Sequence, residues 1–487
     1  MRIKWGEEFD DPLAGSRTGR AAPRLGLIQI KAAKTDASLI PADSTADEET
    51  QAMKMNDMII ASVDDHIIEP PTMFDQHLSA EHRKLAPQYV LDDRGDARWW
   101  WEHEQKMSYN GGLNAVVGRP KEEYGMEPAN IEQMRKGTWN PKLHIDDMNV
   151  GGILCSVNFP SFPGFAGNWF WNAKDKVNAE RVVSAYNDWH IDEWCGPYKG
   201  RYIPTAILPL WDIPTALREL KRVIKKGCRS VIFPSNPVNC GGMPSVHNEV
   251  WEPLWALCND EHVVLNCHIG TGQPAAYASD ESPISAWIAS LPMAIGVDAA
   301  DLLHLRALLR YPNLKFSLSE GGIGWIPYLL ERTDFTYRHH GAWVRCDWGG
   351  KLPSEVFREH FLSCFIEDKF GCQNYKAIGE DIIAYECDYP HSDCTWPIVA
   401  EELWDNVKDL PDPIINKITH GNVFKFFEFD PVAILGRENC TVGALRAQAQ
   451  HVDTAVRSQG GRDARVEGDM TRPVTTADVQ KTMGARV

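Results

Sequence analysis

This chain of 487 residues contains no C-x-x-C pair, and its 12 cysteines lie singly between Cys155 and Cys440. Scattered cysteines of this kind are typical of reduced, buried thiols and not of a disulfide framework. The N-terminal residues also lack the apolar segment that a secretory signal requires. We therefore expect a cytoplasmic protein.

Positive charge is scarce, because 50 Lys and Arg residues face 67 Asp and Glu residues and give a formal net charge of −17. An acidic chain is not expected to bind nucleic acid or anionic membrane surfaces through nonspecific electrostatic attraction. No uninterrupted apolar run reaches the length of about 18 residues that predicts a membrane span. The partner that we expect is a small-molecule substrate, and neither nucleic acid nor a membrane.

Both ends of the chain, residues 1–56 and 433–487, are polar and show no sustained hydrophobic period. Such segments are typical of arms that become ordered only against a partner, so we expect a homo- or hetero-oligomer assembled through them. Hydrophobic residues make up 43% of the chain and charged residues 24%, as is usual for globular enzymes. Residues 57–432 are therefore predicted to form the folded domain.

Short apolar runs alternate with segments of helical periodicity in this central region. The eight predicted strands are 58–65, 152–159, 202–208, 230–234, 263–268, 314–318, 361–365 and 382–388. The predicted helices are 174–194, 214–226, 250–260, 297–311 and 327–337. Apolar strands separated by helices are typical of a parallel sheet buried on both faces. The pattern predicts an α/β fold, a (β/α)8 TIM-type barrel with long terminal arms.

One segment between the first and second predicted strands does not follow this alternation. Residues 88–110 predict a β-hairpin insertion that turns at residues 93–96 and caps the barrel mouth. The insertion carries the aromatic run Trp99, Trp100 and Trp101. These side chains either line a substrate pocket or anchor the insertion and a subunit interface, and packing is the more frequent role of such aromatics.

Residues able to bind a metal follow four of the predicted strands. They are Asp64 and His66 after the first strand, His268 after the fifth, Glu320 after the sixth, and Asp388 with His391 after the eighth. Alternate residues of a strand point to the same face, and the chemistry of a parallel barrel lies at the carboxyl ends of its strands. Imidazole and carboxylate ligands together suit Zn²⁺, Mn²⁺ or Fe²⁺.

Each of these residues also has a purely structural explanation. His268 can be a hydrogen-bonded histidine at the rim of the barrel, and Glu320 can be a buried hydrogen-bond partner or a helix cap. His391 can organise the turn that follows Pro390. Convergence of all the clusters on one edge of a barrel favours the metal site.

The motifs at these strand ends resemble the amidohydrolase superfamily, in particular the branch that contains aminocarboxymuconate semialdehyde decarboxylase and related nonoxidative decarboxylases. The resemblance rests on residues 64–70, His268, residues 319–322 and residues 388–391, and on residues 421–427, which are similar to the closing helix of that branch. It covers approximately residues 58–431. It implies the barrel fold and a metal-dependent reaction.

Applied to this sequence, the resemblance implies that Asp64, His66, His268 and Asp388 bind the metal and that Asp388 transfers protons. Two features differ from the pattern of the branch. The first motif is Asp-x-His where many relatives have His-x-His or Glu-x-His, and Glu320 occupies the region where decarboxylases use a histidine.

The leading hypothesis is a hydrolase, or a related lyase or decarboxylase, that uses metal-activated water on a small organic substrate. Asp388 accepts the proton of the water in this scheme, and His391 and Glu320 assist at the site.

An alternative follows from the number of carboxylates, because Glu69 and Glu320, together with the imidazole of His391, can add to the ligand set. The site then holds two Fe or Mn ions and supports a dinuclear non-haem monooxygenase. A third hypothesis is a non-catalytic barrel subunit of a larger complex.

Overall fold

The computed structural model describes residues 53–102, 104–107, 114–274, 276–463 and 471–483. The predicted N-terminal arm therefore lies almost entirely outside the described residues. The strands of the described part, numbered along the chain, are β1 Ile60–His66, β2 Gln88–Leu91, β3 Ala97–Trp101, β4 Glu104–Met107, β5 Met126–Glu127, β6 Ile153–Phe159, β7 Tyr202–Ile203, β8 Ser230–Ile232, β9 Val264–His268, β10 Lys315–Ser319, β11 Phe361–Phe365, β12 Ile383–Tyr385 and β13 Arg462–Asp463.

Eight of these strands form a single parallel sheet in the order β7-β6-β1-β12-β11-β10-β9-β8. The two ends of this row meet, because Ala206, which follows β7, pairs in parallel with Val231 of β8. The backbone of Ala206 donates to the Ser230 carbonyl and accepts from the Ile232 amide, at 3.0 and 2.9 Å. The predicted (β/α)8 barrel is confirmed.

The helices of the described part surround this sheet and fill the connections between its strands. They are α1 Ala80–Arg83, α2 Pro141–Gly151, α3 Asn168–Trp171, α4 Lys176–Asp188, α5 Ile213–Lys225, α6 Pro237–Gly241, α7 Glu252–Asp260, α8 Ile284–Ser290, α9 Met293–Leu303, α10 Ile326–Val344, α11 Pro353–His360, α12 Lys369–Gln373, α13 Tyr375–Ile378, α14 Val399–Val407, α15 Asp412–Asn416, α16 Asn422–Phe426, α17 Pro431–Leu435, α18 Val442–Gln448 and α19 Thr476–Met483.

The barrel strands form where the sequence is continuously apolar. Every residue of β1, β6 and β9 is buried, as expected for strands that are covered on both faces. The pairing of β1 with β6 shifts in register between Ser62 and Asp65. An irregularity of this kind re-aims side chains next to functional sites. Here it lies beside Asp64.

The insertion forms a three-stranded antiparallel sheet in the order β2-β3-β4. The turn between β2 and β3 is closed by Asp92, whose side chain accepts from the backbone amides of Arg94 and Asp96 at 2.9 and 3.0 Å. Trp99 is buried and stacks on Phe162, with ring centroids 4.4 Å apart. The packing role that we considered for this tryptophan is therefore the one observed.

The segment that follows the barrel packs against it in part. Val442, the first residue of α18, is buried, and its amide donates to the Met58 carbonyl at 2.8 Å. The guanidinium of Arg446 donates to the Val150 carbonyl at 3.0 Å. Residues 471–483 contact the segment before α8 through the bridge between Pro283 and Thr475. The division of the chain at residues 56 and 432 stays a prediction.

One helical stretch, Ile284–Leu303, is long and apolar enough to cross a membrane by length and composition alone. Its mean hydropathy is 1.4, and 28% of the apolar window is buried inside the protein. Asp298 within this stretch is buried and accepts from the Ser235 hydroxyl at 2.6 Å. This contact ties the stretch to the barrel, and the expected absence of a membrane span stays a prediction.

The buried His144 of α2 is expected to make the free energy of unfolding depend on pH. The side chain is buried beside the rings of Trp194 and Tyr389, and burial lowers its pKa from 6.5 to about 3. Between these values the unfolded chain binds a proton that the folded chain does not bind, so acidification favours unfolding. We expect the free energy of unfolding of the wild type to fall more steeply than that of His144→Gln below pH 6.5, by up to about 1.4 kcal/mol per pH unit. Urea titrations of both proteins between pH 4 and 8 measure the two slopes, and equal slopes would contradict the prediction.

Candidate metal centre

Asp64 and His66 leave the carboxyl end of β1 on the same face, as their spacing predicts. The His66 Nε2 atom lies 3.4 Å from Asp64 Oδ1. Both side chains are fully buried, and neither carboxylate oxygen of Asp64 has a hydrogen-bond partner. A buried carboxylate without donors is costly unless a cation satisfies it. Asp64 therefore does not act as a hydrogen-bond acceptor here, which agrees with its predicted role as a ligand.

His268 ends β9 and directs its ring at the same point. Its Nε2 atom lies 3.3 Å from Asp64 Oδ2 and 3.1 Å from His66 Nε2. Its Nδ1 atom lies 2.6 Å from the Ile269 carbonyl oxygen, which accepts the Nδ1 proton. Such a hydrogen bond fixes the tautomer and leaves Nε2 free to bind a metal.

Glu320 and Asp388 follow β10 and β12, and both have left-handed backbones, with φ of 60° and 56°. This conformation costs on the order of 1–2 kcal/mol for a residue with a side chain. Hydrogen bonds hold it in place, because the Glu320 amide donates to Glu386 Oε2 and the Asp388 amide donates to the Asp64 carbonyl, each at 2.8 Å. The two strained residues bring their carboxylates to the cluster: Glu320 Oε2 lies 3.4 Å from His268 Nε2.

The carboxylate of Asp388 lies close to the rings of both His66 and His391. Its Oδ1 atom lies 3.4 Å from His66 Nε2 and 2.7 Å from His391 Nδ1. The backbone amide of His391 donates to the Asp388 carbonyl at 2.9 Å, so the two residues share one turn. The other ring nitrogen of His391, Nε2, is buried and has no hydrogen-bond partner. The turn role considered for His391 is therefore observed, and its role at the site stays a prediction.

The charges of this cluster favour a bound cation. Burial raises the pKa of Asp64, Asp388 and Glu320 well above the ordinary values, and neighbouring carboxylates raise the pKa of each further. Burial lowers the pKa of His66 well below its usual value and that of His268 to about 3, so both rings are neutral. In the described part of the chain, no lysine or arginine forms an ion pair with these carboxylates. Neutral imidazoles and unpaired carboxylates are a donor set that fits a divalent metal.

Glu69 was predicted as a further ligand, and its observed hydrogen bonds argue against that role. One of its carboxylate oxygens accepts from the Ser161 amide and the Tyr186 hydroxyl at 3.0 and 2.9 Å, and the other accepts from the Phe162 amide at 2.9 Å. Burial raises its pKa to about 7. Three donors occupy this carboxylate, so Glu69 holds the loop after β6, and we expect it to lie outside the ligand set.

Glu386 is a site residue that the sequence reasoning did not assign. It is buried on the segment after β12, and besides the Glu320 amide it contacts the Cys364 thiol, whose Sγ lies 2.6 Å from Oε2. Burial raises its pKa to about 7. The available signal was its position two residues before Asp388, on the same face of an extended chain. Glu386 orients Glu320 through the backbone.

Aromatic rings form one wall of the cluster. The half-buried Phe165 lies 4.8 Å from the His66 ring and 4.3 Å from the His268 ring, centroid to centroid. Phe159 of β6 lies 5.0 Å from the His268 ring, centroid to centroid. Trp99, which we considered for a pocket, packs on Phe162 instead.

Solved structures with the same fold come from several organisms. An amidohydrolase from Mycobacterium avium subsp. paratuberculosis is 19% identical with a TM-score of 0.58, over 76% of this chain and 99% of that chain. A 5-carboxyvanillate decarboxylase from Sphingomonas paucimobilis is 15% identical with a TM-score of 0.52, over 76% and 99%. A 5-carboxyvanillate decarboxylase from Novosphingobium aromaticivorans, with bound manganese, is 15% identical with a TM-score of 0.54, over 77% and 99%. A search of curated protein sequences found no match.

The family profile described as Amidohydrolase matches residues 120–429 of this chain. The match contains His268, Glu320, Asp388 and His391, whereas Asp64 and His66 lie on β1 before it begins. The structure joins these two parts at one barrel mouth, where the distances above connect β1 to β9 and β12. Since the profile covers more than half of the 487 residues, the chain belongs to the amidohydrolase family of enzymes.

Proposed function

We propose that this enzyme is a divalent-metal-dependent hydrolase, or a related lyase such as a nonoxidative decarboxylase, that acts on a small organic substrate. The observation that carries the proposal is the convergence of Asp64, His66, His268 and Asp388 on one point, with neither oxygen of the buried Asp64 carboxylate accepting a hydrogen bond. These four residues would hold the metal. A divalent ion bound there would polarise a substrate carbonyl and lower the pKa of a coordinated water. The manganese bound to the Novosphingobium enzyme supports this choice of ion.

Asp388 and His391 are the pair that moves a proton. Asp388 Oδ1 lies 2.7 Å from His391 Nδ1, and His391 Nε2, which has no hydrogen-bond partner, is the ring atom that we assign to the substrate. In this scheme the Asp388 carboxylate takes a proton from the attacking water and becomes a neutral acid, the His391 ring holds the carboxyl group in position, and Asp388 then gives the proton to the leaving group. Glu320, whose side chain is 15% exposed, is the most accessible carboxylate that contacts the imidazoles. It is the second candidate for proton transfer.

A second candidate function is supported by one feature of the donor set. Two groups of donors share His66: Asp64, His66 and His268 form one, and His66, Asp388 and His391 form the other, with the ligand atoms of each within 4.8 Å of one another. His66 can bind only one ion through Nε2, so a second ion would be held by Asp388 and His391, and a pair of Fe or Mn ions permits oxygen chemistry. The proposal of a dinuclear monooxygenase rests on these additional donors alone.

Removal of the metal tests the proposed function. Protein treated with a chelator is expected to lose turnover of small amides, lactones and aromatic carboxylic acids, because the water and the carbonyl are no longer activated. Addition of Mn²⁺ or Zn²⁺ is expected to restore turnover under nitrogen as well as in air. The assay is product formation by chromatography, with untreated protein as the control. Turnover that survives complete metal removal would contradict the proposal. Turnover that requires oxygen together with two Fe or Mn ions per chain would favour the monooxygenase.

A further inference from the structure

The turn that carries Asp388 and His391 is tied to β1 through Tyr389. The Tyr389 amide donates to Asp65 Oδ1 at 3.2 Å, and its carbonyl accepts from the His66 amide at 2.6 Å. Tyr389 thus lies between two site residues in sequence and forms a hydrogen bond to the backbone of a third. A displacement of its backbone moves Asp388, His391 and His66 relative to one another.

The side chain of Tyr389 is fixed by a buried carboxylate outside the metal cluster. Its hydroxyl donates to Asp147 Oδ2 at 2.6 Å, and Asp147 of α2 is almost fully buried. Arg135 pairs with both oxygens of Asp147, with Nε at 2.8 Å from Oδ2 and Nη2 at 2.6 Å from Oδ1. A bidentate pair of this kind fixes the orientation of the carboxylate plane. Asp147 therefore presents one oriented acceptor to Tyr389.

Two further residues confine this arrangement. The Trp396 indole donates to the Asp147 carbonyl at 3.0 Å, and the Arg135 guanidinium lies over the Trp396 ring, 4.1 Å from its centroid. Gly137 lies so close that an added Cβ would sit 2.1 Å from Asp147 Oδ2 and 2.7 Å from the Tyr389 hydroxyl. Any side chain at residue 137 would displace the pair, so glycine is required there for the contact to form.

We propose that Asp147 is a positioning residue for the metal centre, and that it acts through the Tyr389 hydroxyl to hold Asp388 and His391 in the geometry that binds the ion. This inference rests on the proposed function, because it presupposes a metal at the cluster. Residues that orient metal ligands change metal affinity by about 10- to 100-fold when they are removed. The side chain of Asp147 contacts the turn through the Tyr389 hydroxyl and not through Asp388 or His391, so the proposed effect on the metal passes through Tyr389.

Metal affinity in Tyr389→Phe and in a matched variant tests the proposal. Tyr202→Phe is the control, because Tyr202 is also buried and its hydroxyl donates to the Pro141 carbonyl at 3.1 Å, away from the turn. Both variants lose one buried hydroxyl hydrogen bond, so a similar loss of thermal stability is expected. Calorimetric titration with Mn²⁺ is expected to show affinity about tenfold lower for Tyr389→Phe and unchanged for Tyr202→Phe. Wild-type affinity in Tyr389→Phe would overturn the proposal.

A double-variant cycle separates positioning from a general structural effect. Asp147→Ala is expected to weaken Mn²⁺ binding by about 10- to 100-fold, and Asp147→Ala with Tyr389→Phe is expected to be no weaker than Asp147→Ala alone. If the double variant loses Mn²⁺ affinity by the product of the two separate losses, Asp147 does not act through Tyr389, and the inference is overturned. If Asp147→Ala does not fold, the comparison of the two tyrosine variants decides. If the wild type itself binds no Mn²⁺, Zn²⁺ or Fe²⁺, the proposed function fails first, which is a distinguishable result.

Discussion

A protein that carries both His66→Ala and Asp388→Ala is expected to lose its bound divalent metal, from about one ion per chain to less than about a tenth. The two substitutions remove donors from β1 and from the turn after β12, and they break both of the donor groups that share His66. The barrel is expected to remain folded, because the substitutions lie at the carboxyl ends of the strands and leave the apolar packing of the sheet intact. Elemental analysis of the purified variant measures the loss.

The control for this variant is an exposed histidine and aspartate pair that forms no described contact with the cluster. His247 and Asp301 form an ion pair at 3.0 Å, and their side chains are 40% and 50% exposed. A protein with His247→Ala and Asp301→Ala is expected to keep the metal content of the wild type. If the double variant at His66 and Asp388 keeps its metal in full while it unfolds cooperatively, the ligand assignment is wrong.

Glu69→Ala is expected to lower the free energy of unfolding by at least about 3 kcal/mol, because it leaves buried donors without an acceptor. The orphaned groups are the amides of Ser161 and Phe162 and the hydroxyl of Tyr186. Metal content per folded chain is expected to be unchanged, since Glu69 lies outside the ligand cluster. Chemical denaturation measures the first quantity and elemental analysis the second.

Glu69→Gln is the matched variant for this prediction. It keeps the shape and one acceptor oxygen, so a smaller loss of stability than that of Glu69→Ala is expected. A variant at Glu69 that keeps full stability but loses stoichiometric metal would restore the residue to the ligand set that its sequence position suggested.

The sequence was sufficient to predict the barrel because its strands are buried on both faces. Continuous apolar runs such as the one at β9 have no other stable location, and the structure places a strand in each of the eight predicted segments. The predicted boundaries were weakest where a strand is short. The eighth strand was predicted to reach Asp388, but β12 ends at Tyr385, because the chain then leaves the sheet for the left-handed turn at Asp388.

The site was predicted less completely than the fold. Strand ends identified Asp64, His66, His268, Glu320 and Asp388, because residues that end parallel strands meet at one edge. Closeness in sequence to His66 suggested the same role for Glu69, but its observed hydrogen-bond partners are more than ninety residues away along the chain. The contact between Tyr389 and Asp147 spans 242 residues. Contacts of this range depend on the packed structure and leave no local pattern.

The expectations about the cellular location, the assembly and the partners of the protein stay predictions. A cytoplasmic location, assembly through the terminal arms and the absence of nucleic acid and membrane partners each rest on composition alone. The intact donor set argues against a non-catalytic barrel subunit, and membership in an enzyme family agrees with that argument.

The most direct test of the metal centre is anomalous X-ray scattering from crystals of the protein grown with Mn²⁺. We expect a manganese peak at the barrel mouth, within about 2.0–2.3 Å of an atom from each of Asp64, His66, His268 and Asp388. A second peak near His391 would add a dinuclear centre to the same site. A manganese peak elsewhere in the chain, with no density among these four side chains, would contradict the assignment of the metal ligands.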